Sequence, residues 1–221
     1  MRIVIVGAGL AGTNLAHVLG AAGHAVTLVD HNADVAARGF AEYGLASIVG
    51  DGTDPRVLRD ADVGRADVVA AMLRRDADNL AVAAIARGEG ARRILARLRD
   101  PAYRAIYARV GIDQVFGEIE TMVGALSVAI EHPRVRHSMV VGSGDSIAFE
   151  IMVPDTAVNA GKTVRDIGMH PGFPRGAVIA GIAGADGEVV VPRGDAIIRA
   201  GDVVLLVAHG HDVAAAIDFF G

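Results

Sequence analysis

The first 30 residues constrain the fold of this 221-residue chain more than any other segment. A short apolar run, Ile3–Val6, ends at a glycine, which is typical of a buried parallel strand. From Thr13 to Ala22 apolar residues recur at helical spacing, and a second apolar run, Ala25–Val29, stops at Asp30. Two short strands on either side of a helix form a βαβ unit, which predicts a parallel sheet covered by helices.

The link between the first strand and the first helix matches the pattern G-x-G-x-x-G. Gly7 permits a tight turn, Gly9 lets the backbone approach a pyrophosphate, and Gly12 lets the helix pack closely on the strand. The helix N-terminus adds free N–H groups and the positive end of the helix dipole. A chain with 28 glycines can produce this pattern by chance, so its position between a strand and a helix is what predicts a dinucleotide-binding loop. The predicted loop residues are Gly7, Ala8, Gly9, Leu10, Ala11 and Gly12.

Asp30 follows Gly12 by 18 residues and ends the second predicted strand. An acidic residue at about this distance hydrogen-bonds the ribose hydroxyls of a dinucleotide, and its charge repels a 2′-phosphate. NAD or NADH is therefore favoured over the phosphorylated cofactors. The competing interpretation is a glycine turn followed by an aspartate that only lies on the surface.

Two further parts of the sequence, the turn at 51–53 and Arg97, are compatible with either a binding or a structural role. Asp51, Gly52 and Thr53 lie in the turn after the third predicted strand, where Asp51 can accept a hydrogen bond from an adenine amino group. The same residues can instead build the turn and cap the helix that begins at Pro55. Arg97, in the fifth predicted strand, suits phosphate recognition, but an arginine there is also a common salt-bridge partner.

Strands and helices alternate up to about residue 130, and the pattern then changes at His132-Pro133. The first part predicts an α/β fold, a Rossmann-type doubly wound parallel sheet. The remainder predicts a small α+β C-terminal domain, with two strands around 142–145 and a hairpin turn at Asp186-Gly187. We therefore expect a nucleotide-binding domain over residues 1–135 and a small α+β domain over 136–221.

Composition excludes several classes of function. The net charge of −5 argues against a nucleic-acid partner, and the absence of cysteine excludes disulfides and thiol chemistry. The apolar start is too short for a signal peptide, and no apolar run approaches the roughly 20 residues that span a bilayer, so we expect a cytoplasmic protein. His209 and His211 are compatible with a metal site, but polar residues at a strand exit are the favoured interpretation, and no metal is expected.

The order and spacing of these motifs resemble the TrkA/KtrA-type regulatory subunits of bacterial potassium uptake, which carry N- and C-terminal RCK domains. No single segment is specific, but their succession covers nearly the whole chain. The matching segments are 3–12, 23–30, 50–53, 66–70, Asp76 with 79–80, 96–101 with Tyr103, 153–154, 161–164, 192–195 and 200–202.

The resemblance implies a non-enzymatic role: bound nucleotide changes the shape of a ring of subunits and so gates a membrane potassium translocator. The subunits are expected to form homodimers that assemble into tetrameric or octameric rings at the inner face of the cell membrane. It also implies that Leu73, Arg74 and Arg97 contact the nucleotide, together with the glycine loop, Asp30 and 51–53. The alternatives are an NAD-dependent oxidoreductase with a small substrate domain and a nucleotide sensor without a transporter; the oxidoreductase is disfavoured because no acid–base pair is evident.

Two residues depart from the family pattern. Leu10 replaces the arginine that ATP-responsive members place in the glycine loop, which leaves NAD or NADH as the first choice, with ATP, ADP or AMP as alternatives. Leu73 replaces a threonine after the fourth strand and so removes a polar contact.

Overall fold

The computed structural model describes residues 1–142, 145–184 and 187–221, apart from the side chains of Phe40 and Glu42. The chain divides into two compact units, Met1–Glu120 and Thr121–Gly221. The division predicted from the sequence, between residues 135 and 136, lies a short distance further along the chain and stays a prediction.

The first unit is built on a six-stranded parallel sheet with the order β3-β2-β1-β4-β5-β6. The predicted Rossmann-type fold is therefore confirmed. Its strands are β1 (Arg2–Val6), β2 (Ala25–Asp30), β3 (Ala46–Val49), β4 (Val68–Ala71), β5 (Ile94–Leu98) and β6 (Gln114–Gly117). Its helices are α1 (Leu10–Ala21), α2 (Ala33–Tyr43), α3 (Pro55–Asp60), α4 (Asp76–Gly88) and α5 (Arg104–Val110), with short 3₁₀ helices at Val63–Arg65 and Pro101–Tyr103.

Both faces of this sheet are covered, as the apolar composition of its strands requires. Along β1, Val4 and Val6 pack in one buried cluster, whereas Ile3 and Ile5 pack in another. Successive side chains of a strand point to opposite faces, so the two clusters lie on opposite sides of the sheet.

The strand order places the carboxyl ends of β1 and β4 side by side. The chain runs outward from β1 through β2 to β3 and then returns to β4 on the other side of β1. Ligands of open α/β sheets bind in the crevice that such a reversal creates beyond the carboxyl ends of the strands. Every predicted site residue lies in the C-terminal part of one of the strands β1 to β5, in the loop that follows it, or, for Leu10, Ala11 and Gly12, in the first turn of α1.

The second unit contains an antiparallel sheet with the order β10-β9-β11-β8-β7. Its strands are β7 (Val135–Val141), β8 (Ser146–Met152), β9 (Ala177–Ala183), β10 (Val189–Val190) and β11 (Val203–His209). Helix α6 (Glu118–Glu131) begins just before this unit, which also contains α7 (Val164–Gly168), α8 (Val213–Phe219) and a 3₁₀ turn at Gly210–Asp212. The predicted α+β domain is confirmed, while Ser143, Gly144 and the Asp186 of the predicted hairpin turn lie outside the described residues.

The core of the second unit lies where α8 packs against the sheet. Phe149, Ile151, Leu206 and Phe220 are fully buried there. In neither unit does a described helix have the length and apolar character needed to cross a membrane.

Candidate functional site

The glycine loop between β1 and α1 has a geometry that only glycine permits at two of its three positions. Gly7 has φ +107°, and a Cβ there would lie 2.9 Å from the carbonyl group of Met72. A Cβ at Gly12 would lie 1.9 Å from the carbonyl oxygen of Gly7. At Gly9 no atom lies within 4 Å of the Cβ position, so this backbone is open to close approach from outside.

The N-terminus of α1 adjoins this open backbone. Gly9 is the N-cap residue, makes no side-chain capping bond, and is followed by no acidic residue in the first turn. The N–H groups of the first turn have no partner within the helix, and they carry the positive end of the helix dipole. Leu10 and Ala11 are exposed here, Leu10 to 83%, whereas Ala8 is buried. The arrangement suits a phosphate or pyrophosphate group.

Asp30 lies directly against the glycine loop. Its Oδ2 accepts a hydrogen bond of 2.7 Å from the backbone N–H of Ala8, and its Oδ1 accepts one of 2.9 Å from Asn32. The residue is only 9% exposed, and the Nδ1 atom of His31 lies 3.3 Å from Oδ1. The structure thus brings Asp30 into contact with the glycine loop, although the two are separated by 18 residues in the sequence. A carboxylate has about four lone-pair positions, so these bonds leave capacity for ribose hydroxyls.

The turn after β3 packs against the end of β1. A Cβ at Gly52 would lie 2.2 Å from Cγ1 of Val6, so the turn can approach this closely only with glycine. Oδ1 of Asp51 accepts two hydrogen bonds of 2.8 Å, from the backbone N–H and the hydroxyl of Thr53. Both bonds lower the pKa of Asp51, and the one from the backbone N–H has the larger effect.

Asp51 and Thr53 build the turn, as the structural interpretation predicts. They do not cap α3, because the cap is the next residue along the chain. Asp54 is the N-cap residue, and its carboxylate accepts from the backbone N–H of Arg56. The adenine contact predicted for Asp51 stays a prediction.

The remaining predicted residues lie beyond β4 and in β5. The backbone of Leu73 is held by the side chain of Asn79, while Arg74 is exposed. Nε of Arg97 donates a 2.7 Å hydrogen bond to Oε2 of Glu118, and a second guanidinium nitrogen pairs with the same oxygen. The salt-bridge role considered for Arg97 is therefore present. A guanidinium has five donors, so a phosphate can share it with Glu118.

Three polar residues behind this part of the site have roles that the sequence patterns above do not predict: Asp76, Asn79 and Tyr107. All three are buried, and they hydrogen-bond to the backbone after β4 and at the end of β5. A signal was available, because Asp76 and Asn79 continue the helical stripe that contains Ala83 and Ala86. Polar residues in an apolar stripe of a helix need buried partners.

The histidine pair of the second unit forms no recognisable metal centre. The rings of His209 and His211 are parallel, with centroids 5.7 Å apart, and His211 Nε2 lies 3.6 Å from the carboxylate of Asp212. Among the described residues no group of three or more His, Asp or Glu side chains is arranged to hold a metal ion.

Comparison with known families assigns nearly the whole chain. Residues 3–118 match the TrkA-N domain, and residues 148–221 match the TrkA-C domain. The chain is 30% identical over 204 residues to the Trk system potassium uptake protein TrkA homolog of Methanothermobacter thermautotrophicus, covering 92% of each chain. It is 32% identical over 227 residues to the homolog of Archaeoglobus fulgidus, covering 100% of this chain and 50% of that relative.

Solved structures share the fold. A GsuK channel bound to NAD matches all of this chain with a TM-score of 0.68 and 22% identity, over 39% of that chain. The GsuK RCK domain matches all of it with a TM-score of 0.68 and 21% identity, over 47% of that chain. GsuK bound to ADP matches 60% of this chain with a TM-score of 0.53 and 23% identity, over 35% of that chain.

Proposed function

This chain belongs to the TrkA family of potassium-uptake proteins, and from that premise we propose that it gates potassium uptake in response to bound NAD or NADH. TrkA proteins are regulatory subunits rather than enzymes, so membership decides against the oxidoreductase alternative. The response to nucleotide is the part of the proposal that the site has to support.

The observation that carries the proposal is the contact between Asp30 and the glycine loop. The bond from Ala8 N–H to Asp30 holds this carboxylate beside an open backbone at Gly9 and an uncapped helix N-terminus. These are the three elements that an adenosine diphosphate moiety needs: donors for the pyrophosphate, room for it, and an acceptor for the ribose. The carboxylate at this position disfavours a 2′-phosphate, so NAD or NADH is preferred over NADP or NADPH.

Neighbours with this fold support the same ligand class. Solved GsuK structures are described as bound to NAD and to ADP. ADP, AMP and ATP therefore remain alternatives to NAD or NADH for this chain. Leu10 in the glycine loop provides no charge for a terminal phosphate, which favours the dinucleotide.

The proposed partner is a membrane potassium translocator, and the proposed assembly is a homodimer that builds a tetrameric or octameric ring at the inner face of the membrane. In this mechanism the nucleotide acts by population shift: it binds one shape of the ring more tightly than another and so changes the fraction of open translocators. The support is family membership, since the relatives are named as Trk potassium-uptake proteins.

Calorimetry with NADH, NAD, NADPH, ATP, ADP and AMP tests the proposal, with Asp30→Ala as the variant. Asp34→Ala is the matched control, because it removes an exposed carboxylate from the first turn of α2. The proposal expects tight binding of NADH or NAD, weak binding of NADPH, and loss of binding in Asp30→Ala only. If only ATP or ADP binds, that nucleotide takes the place of NAD or NADH as the regulatory signal. A monomeric protein without nucleotide affinity would refute the proposal.

A further inference from the structure

Three buried side chains connect the end of β4 to the end of β5 within the first unit. Asn79 is 1% exposed, and it bridges both strands by itself. Its Oδ1 accepts a 2.8 Å hydrogen bond from the N–H of Leu73, while Nδ2 donates bonds of 3.1 Å to the carbonyl oxygens of Leu73 and Arg97. One amide therefore fixes the spacing of two backbone segments that lie beyond the sheet edge.

Asp76 and Tyr107 extend this connection along the loop after β5. The carboxylate of Asp76 accepts from the backbone N–H groups of Arg99, at 2.9 Å, and Asp100, at 3.0 Å. The hydroxyl of Tyr107 donates to Asp76 Oδ1 at 2.9 Å and lies 3.0 Å from the carbonyl oxygen of Arg97. Burial is the main cause that raises the pKa of Tyr107, and the hydrogen bond to Asp76 is the second. The hydroxyl therefore keeps its proton at physiological pH.

These contacts involve only one side of the crevice. A Rossmann sheet consists of two mononucleotide-binding halves, here β1-β2-β3 and β4-β5-β6, and a dinucleotide lies across both. The adenosine half has its own connections, from Asp30 to Ala8 and from Asp51 to Thr53. Among the hydrogen bonds of the described residues, none joins Asn79, Asp76 or Tyr107 to that half.

We propose that Asn79, supported by Asp76 and Tyr107, is a positioning residue for the second mononucleotide of a bound dinucleotide, and so sets the preference for NADH over ADP. The inference rests on the proposed function, because it concerns the same site. Leu73 and Arg97 are the residues expected to contact the nucleotide beyond its pyrophosphate, and Asn79 holds the backbone of both.

A purely structural role makes a different prediction. If the network only stabilised the first unit, its loss would weaken NADH and ADP alike, or neither. If it positions the β4 and β5 ends, its loss weakens NADH, which uses both halves, and spares ADP, which uses the adenosine half and the glycine loop. The ratio of the two affinities therefore separates the two roles.

The experiment measures NADH and ADP binding by calorimetry in Asn79→Leu, which removes all three bonds and keeps the number and branching of the side-chain heavy atoms. Tyr107→Phe is a milder variant that removes one hydroxyl, should Asn79→Leu fail to fold. Val82→Ala is the control, since Val82 lies in the same helix and is fully buried, but its side chain has no polar atom that could hydrogen-bond the backbone of the site. Urea unfolding of each variant records its stability.

The expected result is an NADH affinity about tenfold lower in Asn79→Leu and about threefold lower in Tyr107→Phe, with ADP affinity within about twofold of the wild type. Val82→Ala should lower stability and leave both affinities unchanged. Equal losses for NADH and ADP, or an unchanged NADH affinity, would overturn the inference. Failure of the wild-type protein to bind either ligand would instead refute the proposed function.

Hydrogen exchange provides a second measurement if ADP binds the wild type too weakly for calorimetry. In Asn79→Leu, NADH should still slow exchange of the glycine-loop amides as it does in the wild type, but it should slow exchange of the Arg99 and Asp100 amides less than in the wild type. Equal protection of both regions in variant and wild type would count against a positioning role.

Discussion

Substituting alanine for Gly9 and for Gly12 should separate nucleotide binding from folding within one loop. The two glycines are three residues apart, but their surroundings differ. A Cβ at Gly9 meets nothing within 4 Å, and the backbone there, with φ −61° and ψ 179°, is open to any residue. A Cβ at Gly12 would lie 1.9 Å from the carbonyl oxygen of Gly7, about 1.5 Å short of ordinary contact.

The expected magnitudes follow from these distances. Gly12→Ala has to move α1 away from β1, and overpacking of this kind costs about 1–3 kcal/mol of unfolding free energy. Gly9→Ala gains a little from reduced freedom of the unfolded chain and loses a little as a poorer helix cap, so its stability should stay within about 0.5 kcal/mol of the wild type. Its methyl group occupies the backbone face that a pyrophosphate has to approach, and we expect NADH affinity to fall at least about tenfold.

Urea unfolding followed by circular dichroism gives the stabilities, and calorimetry with NADH gives the affinities. Gly9→Ala should unfold like the wild type and bind NADH at least about tenfold more weakly, whereas Gly12→Ala should unfold at a lower urea concentration. Wild-type NADH affinity in Gly9→Ala would refute the assignment of the open backbone to the pyrophosphate. Wild-type stability in Gly12→Ala would refute the close packing of α1 on the loop.

Two further predictions concern carboxylates away from the loop. Asp54→Ala removes the cap that accepts from the N–H of Arg56, and it should lower the urea concentration at which the protein unfolds. The N–H of Ile94, and secondarily Arg87, lower the pKa of Asp113, so its contribution to stability is complete above the ordinary value of about 3.9 and is lost as pH falls through the lower folded value. The stability difference between the wild type and Asp113→Asn, measured by urea unfolding from pH 7 to pH 3, should therefore shrink below about pH 4; a constant difference would contradict this linkage.

The alternation of strands and helices was sufficient to predict the Rossmann-type sheet, because buried parallel strands leave uninterrupted apolar runs such as Ile3–Val6. The contact of Asp30 with the glycine loop was also predictable, since both follow neighbouring parallel strands and therefore lie at one edge of the sheet. In both cases the information is local, or is fixed by the direction of the strands.

The partners of Asn79, unlike its burial, could not be predicted in the same way. Its partners are backbone atoms of Leu73 and Arg97, one of them 18 residues away, and any sequence presents such atoms. The pairing of Arg97 with Glu118 was likewise left open, because the partner comes from the start of α6, and only the adjacency of β5 and β6 brings it within reach. Side-chain contacts to backbone depend on the exact register of packed elements, which a residue pattern does not specify.

The ends of three helices differ in a way that connects ligand concentration to folding. Asp54 caps α3 and Thr163 caps α7 with their own side chains, whereas α1 begins at Gly9 without such a cap. A phosphate bound at α1 would take the role of the missing side chain, so the nucleotide would complete an element of secondary structure. Each tenfold rise of free nucleotide above its dissociation constant would then add about 1.4 kcal/mol to the stability of the unit formed by residues 1–120. The unfolding free energy of this unit would thus rise with the concentration of free nucleotide in the cell.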